Sequence, residues 1–143
     1  MVVLREKACL RFFSVVCVAT LFGCGSAFAW GGEPEPWVAP DSAKELANPI
    51  KNAKKAAKKG AKTFKQFCVL CHGPKGKGDG PGGKSLTPKP ADLSSDRVQG
   101  QEDGEIFWKI SEGRPPMVTW KHSISETERW NLVHYIRTFK PQP

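Results

Sequence analysis

The chain has 143 residues, with 22 Lys and Arg against 14 Asp and Glu for a formal charge of +8, and five cysteines, 14 glycines and 12 prolines. That is the length of one small domain with tails, and the absence of any run of about 20 apolar residues, or of a repeat of roughly 20 to 50, excludes a multi-span membrane bundle and a solenoid. Aromatic residues make up 10%, with five Trp among them, too many for a chain that stays disordered throughout.

Residues 1–29 read as an export signal: Arg5, Lys7 and Arg11 precede an apolar run from Phe12 to Phe22, and Ala27-Phe28-Ala29 supplies a small-residue cleavage site. The run is short for a bilayer span. A second processing route competes, because Leu21-Phe22-Gly23-Cys24 resembles a bacterial lipoprotein box that would leave Cys24 lipidated and the protein anchored to a membrane. Cleavage after Ala29 removes Arg5, Lys7 and Arg11 against Glu6, so the formal charge falls from +8 to +6. It also removes Cys9, Cys17 and Cys24 and leaves Cys68 and Cys71, too few to staple an exported mini-protein with disulfides.

From residue 30 to 51 the sequence is Gly/Pro-rich, with Gly31-Gly32-Glu33-Pro34-Glu35-Pro36 and then Asp41-Ser42-Ala43-Lys44, and it reads as an extended tether. The folded domain is expected over 52–143. Across 53–67, Ala57, Ala61, Phe64 and Phe67 recur at helical spacing with lysines on the other face. Gly60 inside this helix costs about 1 kcal/mol against Ala, which calls for a packing reason such as the close approach of another helix.

Cys68-Val69-Leu70-Cys71-His72 follows at once. C-x-x-C-H is the attachment signature of a c-type haem, in which two thiols add to the two vinyl groups and the adjacent imidazole reaches the iron. Two intervening residues set the sulfurs about one helical turn apart, near the separation of the vinyls. A zinc ribbon would need a second Cys/His pair, and His122 and His134 do not have that spacing. A thioredoxin-like redox pair would need a βαβ pattern, which is missing.

Residues 73–101 are dense in Gly and Pro and read as loops around the cofactor edge. Ile106, Phe107 and Ile110 mark a short helix stopped by Gly113 and Pro115-Pro116. Met117 follows in that proline loop. Ser125-Glu126-Thr127-Glu128 is a capping box that opens a last helix carrying Trp130, Val133 and Ile136 and ending before Pro141. The expected fold class is therefore all-α: a small helical domain too short for a large core of its own, wrapped around a covalently attached haem.

Gly60 to Phe64, Cys68 to Gly73, Gly76 to Pro81, Lys89 to Leu93, Ile106 to Gly113, Pro116-Met117 and Trp130 to Arg137 together resemble a monohaem class I cytochrome c of the bacterial exported kind. The resemblance runs from about residue 52 to 139. It implies a cytochrome c-like fold with one covalent haem c, Cys68 and Cys71 as the attachment residues, and His72 and Met117 as iron ligands. It also implies that His72 donates its other ring N–H to the Pro81 carbonyl, and that Gly60 and Phe64 cross Leu132 and Tyr135. From the residues alone, His122 and His134 stay rivals of Met117, and Trp120 is either a cofactor neighbour or an ordinary core residue. Val118 departs from the Pro that many relatives carry after the ligand.

The expected function is single-electron transport in the periplasm between redox proteins, by a monomeric carrier that is not an enzyme. The alternatives are a haem subunit fixed in a larger respiratory oxidoreductase, and a ligand-binding or catalytic haem with an open sixth site. The lysine run Lys51, Lys54, Lys55, Lys58, Lys59, Lys62 and Lys65, with Lys75, Lys77, Lys84 and Lys89 beyond, is either a docking face for an acidic redox partner or a solvated helix face. Nucleic acid is excluded by export and by the lack of any binding motif. Membrane contact follows only from lipidation at Cys24 or from a complex.

Overall fold

The computed structural model describes residues 35–142. The expected signal segment, the Cys24 box and the first residues of the expected tether lie outside them. Among the described residues there are six helices: α1 (Asp41–Lys44), α2 (Ala53–Phe67), α3 (Val69–His72), α4 (Asp96–Gln99), α5 (Asp103–Glu112) and α6 (Glu126–Arg137), with a 3-10 turn at Pro81–Gly83. No strand is present among them; Arg114 and Met117 form an isolated antiparallel bridge. The all-helical class holds.

Local chemistry starts the two long helices. The Asn52 side chain accepts from the Lys55 amide at the head of α2. At α6 the Ser125 amide donates to the Glu128 carboxylate at 3.1 Å while the Glu128 amide donates back to the Ser125 hydroxyl, the reciprocal box expected there. α2 turns Ala56, Gly60, Thr63 and Phe64 inward and leaves its lysines exposed. The inward stripe lies on α6, where Phe64 meets Tyr135 at 5.2 Å and Phe139 at 5.4 Å between ring centroids. Phe64 and Tyr135 thus cross as expected, but Gly60 abuts Asn131, and Leu132 points into the core.

The core joins Phe64, Leu93, Val98, Ile106, Ile110, Ile124, Trp130, Leu132, Val133 and Ile136. Burying each large aliphatic or aromatic side chain stabilises the fold by about 1.5–3 kcal/mol before the entropy cost of ordering it. Phe107 stacks on Trp130 at 3.9 Å with the planes 9° apart, which fixes α5 against α6. Arg137 ties the far end of α6 to the α4–α5 corner, its Nε donating to Asp103 Oδ1 at 2.8 Å and its NH1 to the Gln99 carbonyl at 2.8 Å.

The expected tether needs correction over its described part. From residue 35 on, the described residues belong to one compact unit. Ala39 and Ala43 are buried, α1 packs on α5, the Asn48 amide group donates to Asp103, and the Ile50 carbonyl meets His134 Nε2 at 3.0 Å. Small alanines and a Trp give this stretch an apolar face that its Gly/Pro-rich beginning conceals.

Candidate haem-attachment site

Cys68 caps α2 and opens α3, so a single turn carries the whole motif: the Cys71 and His72 amides both donate to the Cys68 carbonyl, at 3.1 and 2.8 Å. Both thiols are free and half-buried. Burial, with the neighbouring Cys71 as a lesser cause, pushes the Cys68 thiol up to about 12. The His72 ring is held below its ordinary value by burial, opposed by its hydrogen bond to Ala91.

That bond sets the ring's role. His72 Nδ1 lies 3.2 Å from the Ala91 carbonyl, which accepts from it and leaves Nε2 as the nitrogen able to bind iron. The expected acceptor, the Pro81 carbonyl, is not used. The Gly80 amide instead donates to the Cys71 carbonyl, so the Gly80-Pro81 step closes the end of α3. The loop returns to the ring later, when the Leu93 amide donates to the Gly76 carbonyl at 2.7 Å. Asp92 fixes this return by accepting from both the amide and the hydroxyl of Ser94, and Lys77 bonds Ser94 and Asp92. Those hydrogen bonds, led by the Ser94 hydroxyl, hold the Asp92 carboxyl below the usual range.

Met117 lies on the loop after α5, half-buried, with its amide donating to the Arg114 carbonyl at 2.8 Å. Downstream, the Trp120 amide donates to the Ile110 carbonyl and the Thr119 hydroxyl to that of Ser111. Trp120 packs on Phe67 at 5.4 Å, which brings the loop carrying Met117 to the helix end that carries Cys68. The rival histidines lie elsewhere: His122 is exposed and His134 faces Ile50.

The donor set suits haem c. Two free thiols with two residues between them can form thioethers, and an imidazole oriented by a carbonyl can ligate iron. The surroundings are apolar as well: Leu70 beside Cys71 is 65% exposed and Val118 beside Met117 is 57% exposed, while Phe67, Val69, Ala91 and Trp120 lie partly open at the core's edge.

Sequence reasoning missed the Ala91 carbonyl, which carries no side-chain signal, and the docked segment before residue 50. An Asp two residues before a Ser was the available hint of a tight turn at Asp92.

The family described as cytochrome c oxidase, cbb3-type, subunit III matches residues 55–136. A chain of the Kuenenia stuttgartiensis reducing HAO-like protein complex Kustc0457/Kustc0458 is similar with a TM-score of 0.59 and 27% identity, over 77% of this chain and 52% of that one. This chain therefore spans about half the length of that relative. The KustC0563 c-type cytochrome is similar with a TM-score of 0.50 and 29% identity, over 57% of this chain and 98% of that one. No curated protein matches. A match over more than half the chain, on an all-helical fold with free thiols and an oriented imidazole, places this chain in the cytochrome c oxidase cbb3-type subunit III family, as a class I monohaem c-type cytochrome with covalent haem c.

Proposed function

We propose that this protein is an exported one-electron carrier in which Cys68 and Cys71 hold the haem, His72 and Met117 are its axial ligands, and redox proteins are its donor and acceptor. The observation that carries the reading is the His72 ring, with Nδ1 engaged by the Ala91 carbonyl and Nε2 free to ligate. Bound haem supplies a ferric/ferrous couple that takes one electron from a donor and passes it to an acceptor. The residues do the rest. The Ala91 carbonyl makes His72 a better donor, the Met117 thioether favours ferrous iron and raises the potential, and Phe67, Val69 and Trp120 keep water from the centre.

A second reading, a haem subunit fixed in a larger oxidoreductase, is favoured by the similarity to one chain of a multi-protein complex. Mature protein from a cytochrome c maturation strain tests both. The carrier reading expects an intact mass of the chain from Trp30 plus one haem, a pyridine haemochrome typical of two thioether bonds, and purification as a monomer. A mass without haem removes the whole reading. A start at Cys24 with acyl mass replaces the free carrier with an anchored one, and constant co-purification with partners favours the subunit.

A further inference from the structure

Residues 37–50 run antiparallel to α5, from its first residues to the loop beyond its end. Asn48 bonds Asp103. Ala43 lies on Gly104, where a methyl group would come within 1.9 Å of the Ala43 carbonyl oxygen, so α1 seats its backbone directly on α5. Trp37 then reaches Trp108 at 6.3 Å and has two cations over its ring, Lys109 Nζ at 5.9 Å and the Arg114 guanidinium at 5.3 Å from its centroid. Arg114 also donates from NH1 to the Glu35 carbonyl at 3.1 Å. The same Arg114 pairs through its backbone with Met117. The side chain of one residue therefore grips the N-terminal segment while its carbonyl holds the amide of Met117.

We propose that Trp37 is a positioning residue for the sixth ligand: through Arg114 it clamps the Arg114–Met117 turn and keeps the Met117 thioether in place against competing small ligands. This rests on the reading of Met117 as an axial ligand. The planar guanidinium stacks well on an indole, a half-buried pairing that a truncated side chain cannot make. Downstream of Met117 the loop is tied to α5 by Thr119, Trp120 and Lys121, and upstream the clamp supplies the matching restraint. A turn restrained on both sides spends less time with the sulfur displaced, and an external ligand binds in proportion to that displaced fraction.

The test titrates the mature ferric holoprotein with imidazole and follows the weak long-wavelength band due to sulfur-to-iron charge transfer. Trp37→Ala and Arg114→Gln are each expected to bind imidazole about 5- to 10-fold more tightly than the parent, with Trp37→Phe recovering most of the loss. Exchange of the Met117 amide hydrogen should quicken by a similar factor while that of Val133 in the core does not change. Should Trp37→Ala fail to fold, Arg114→Gln carries the same comparison. Equal imidazole affinity in parent and variants, with the band present in all, overturns the clamp and leaves Met117 as ligand. Faster exchange at Met117 and Val133 alike also overturns it, because the segment then only stabilises the fold. A parent without the band overturns the ligand reading, and Met117 exchange that is equal in that parent and in its Trp37→Ala and Arg114→Gln variants overturns the clamp as well.

Discussion

Gly60 and Asn131 meet backbone to backbone: a methyl group at position 60 would lie 2.1 Å from the Asn131 carbonyl oxygen and 2.9 Å from the Tyr135 Cβ. Neither obstacle can swing aside, since one is main chain and the other the root of a side chain. Gly60→Ala gains about 1 kcal/mol in helix propensity. It must also part α2 from α6, and overpacking of this kind costs about 1–3 kcal/mol or more. The net expectation is a lower urea midpoint with an unchanged slope. A midpoint at or above the parent's would mean that the helix crossing does not depend on this contact.

The acid limb of stability should carry a mark from Glu128. Its carboxyl is held below the usual range, first by the Ser125 hydroxyl and then by the Ser125 amide. A carboxylate with a depressed folded value adds stability above its unfolded value near 4.3, and that stability is lost as pH falls through the lower folded value. Glu128→Gln should therefore melt below the parent at pH 7, with the gap closing toward pH 3. Ser125→Ala, which removes the cap itself, should cost about 1 kcal/mol at neutral pH. A gap constant from pH 7 to 3 would show that the charge on Glu128 contributes nothing.

Much of this fold was legible because its signals are local. The lysine-and-alanine period of α2, the box at Ser125 and Glu128, and the C-x-x-C-H spacing each depend on residues within a few positions of one another. What escaped depends on distant partners. Ala39 and Ala43 have the composition of a linker yet are buried, and Ala43 can seat its backbone on α5 because Gly104, some sixty positions on, has no side chain in the way. The acceptor for His72 is a backbone oxygen, so no residue type announced it. The path that brings Ala91 to the ring is set by the Leu93–Gly76 hydrogen bond and by Asp92, within a stretch whose Gly and Pro content indicated only loops.

Docking to an acidic partner should be sensitive to salt. The α2 lysines are exposed, as is Lys75, whereas Lys77 is engaged by Asp92 and Ser94. Exposed charges are screened over about 10 Å at 0.1 M salt. Electron-transfer rates with an acidic partner should accordingly fall steeply as ionic strength rises. Lys75→Glu, close in sequence to His72, should slow transfer more than Lys54→Glu or Lys55→Glu. Rates flat with salt would assign the lysines to a merely solvated face.

The sixth ligand admits a direct test, because the rivals of Met117 occupy different places. His134 turns Nε2 to the Ile50 carbonyl at 3.0 Å, and His122 is exposed on the loop before α6. Met117→Ala leaves Cys68, Cys71 and His72 in place, so covalent haem should persist with an unchanged mass increment. The ferric variant should lose the weak long-wavelength band. Its potential should fall, since water, hydroxide or an imidazole favours ferric iron more than a thioether does. Carbon monoxide should bind the reduced variant faster than the parent. His134→Ala should leave the band and the potential alone, and His122→Ala likewise. If the band and potential instead survive in Met117→Ala and change in either histidine variant, the centre is bis-histidine. If the unmutated protein already lacks the band and binds carbon monoxide rapidly, its sixth site is open, and ligand binding or catalysis replaces electron transport as its function.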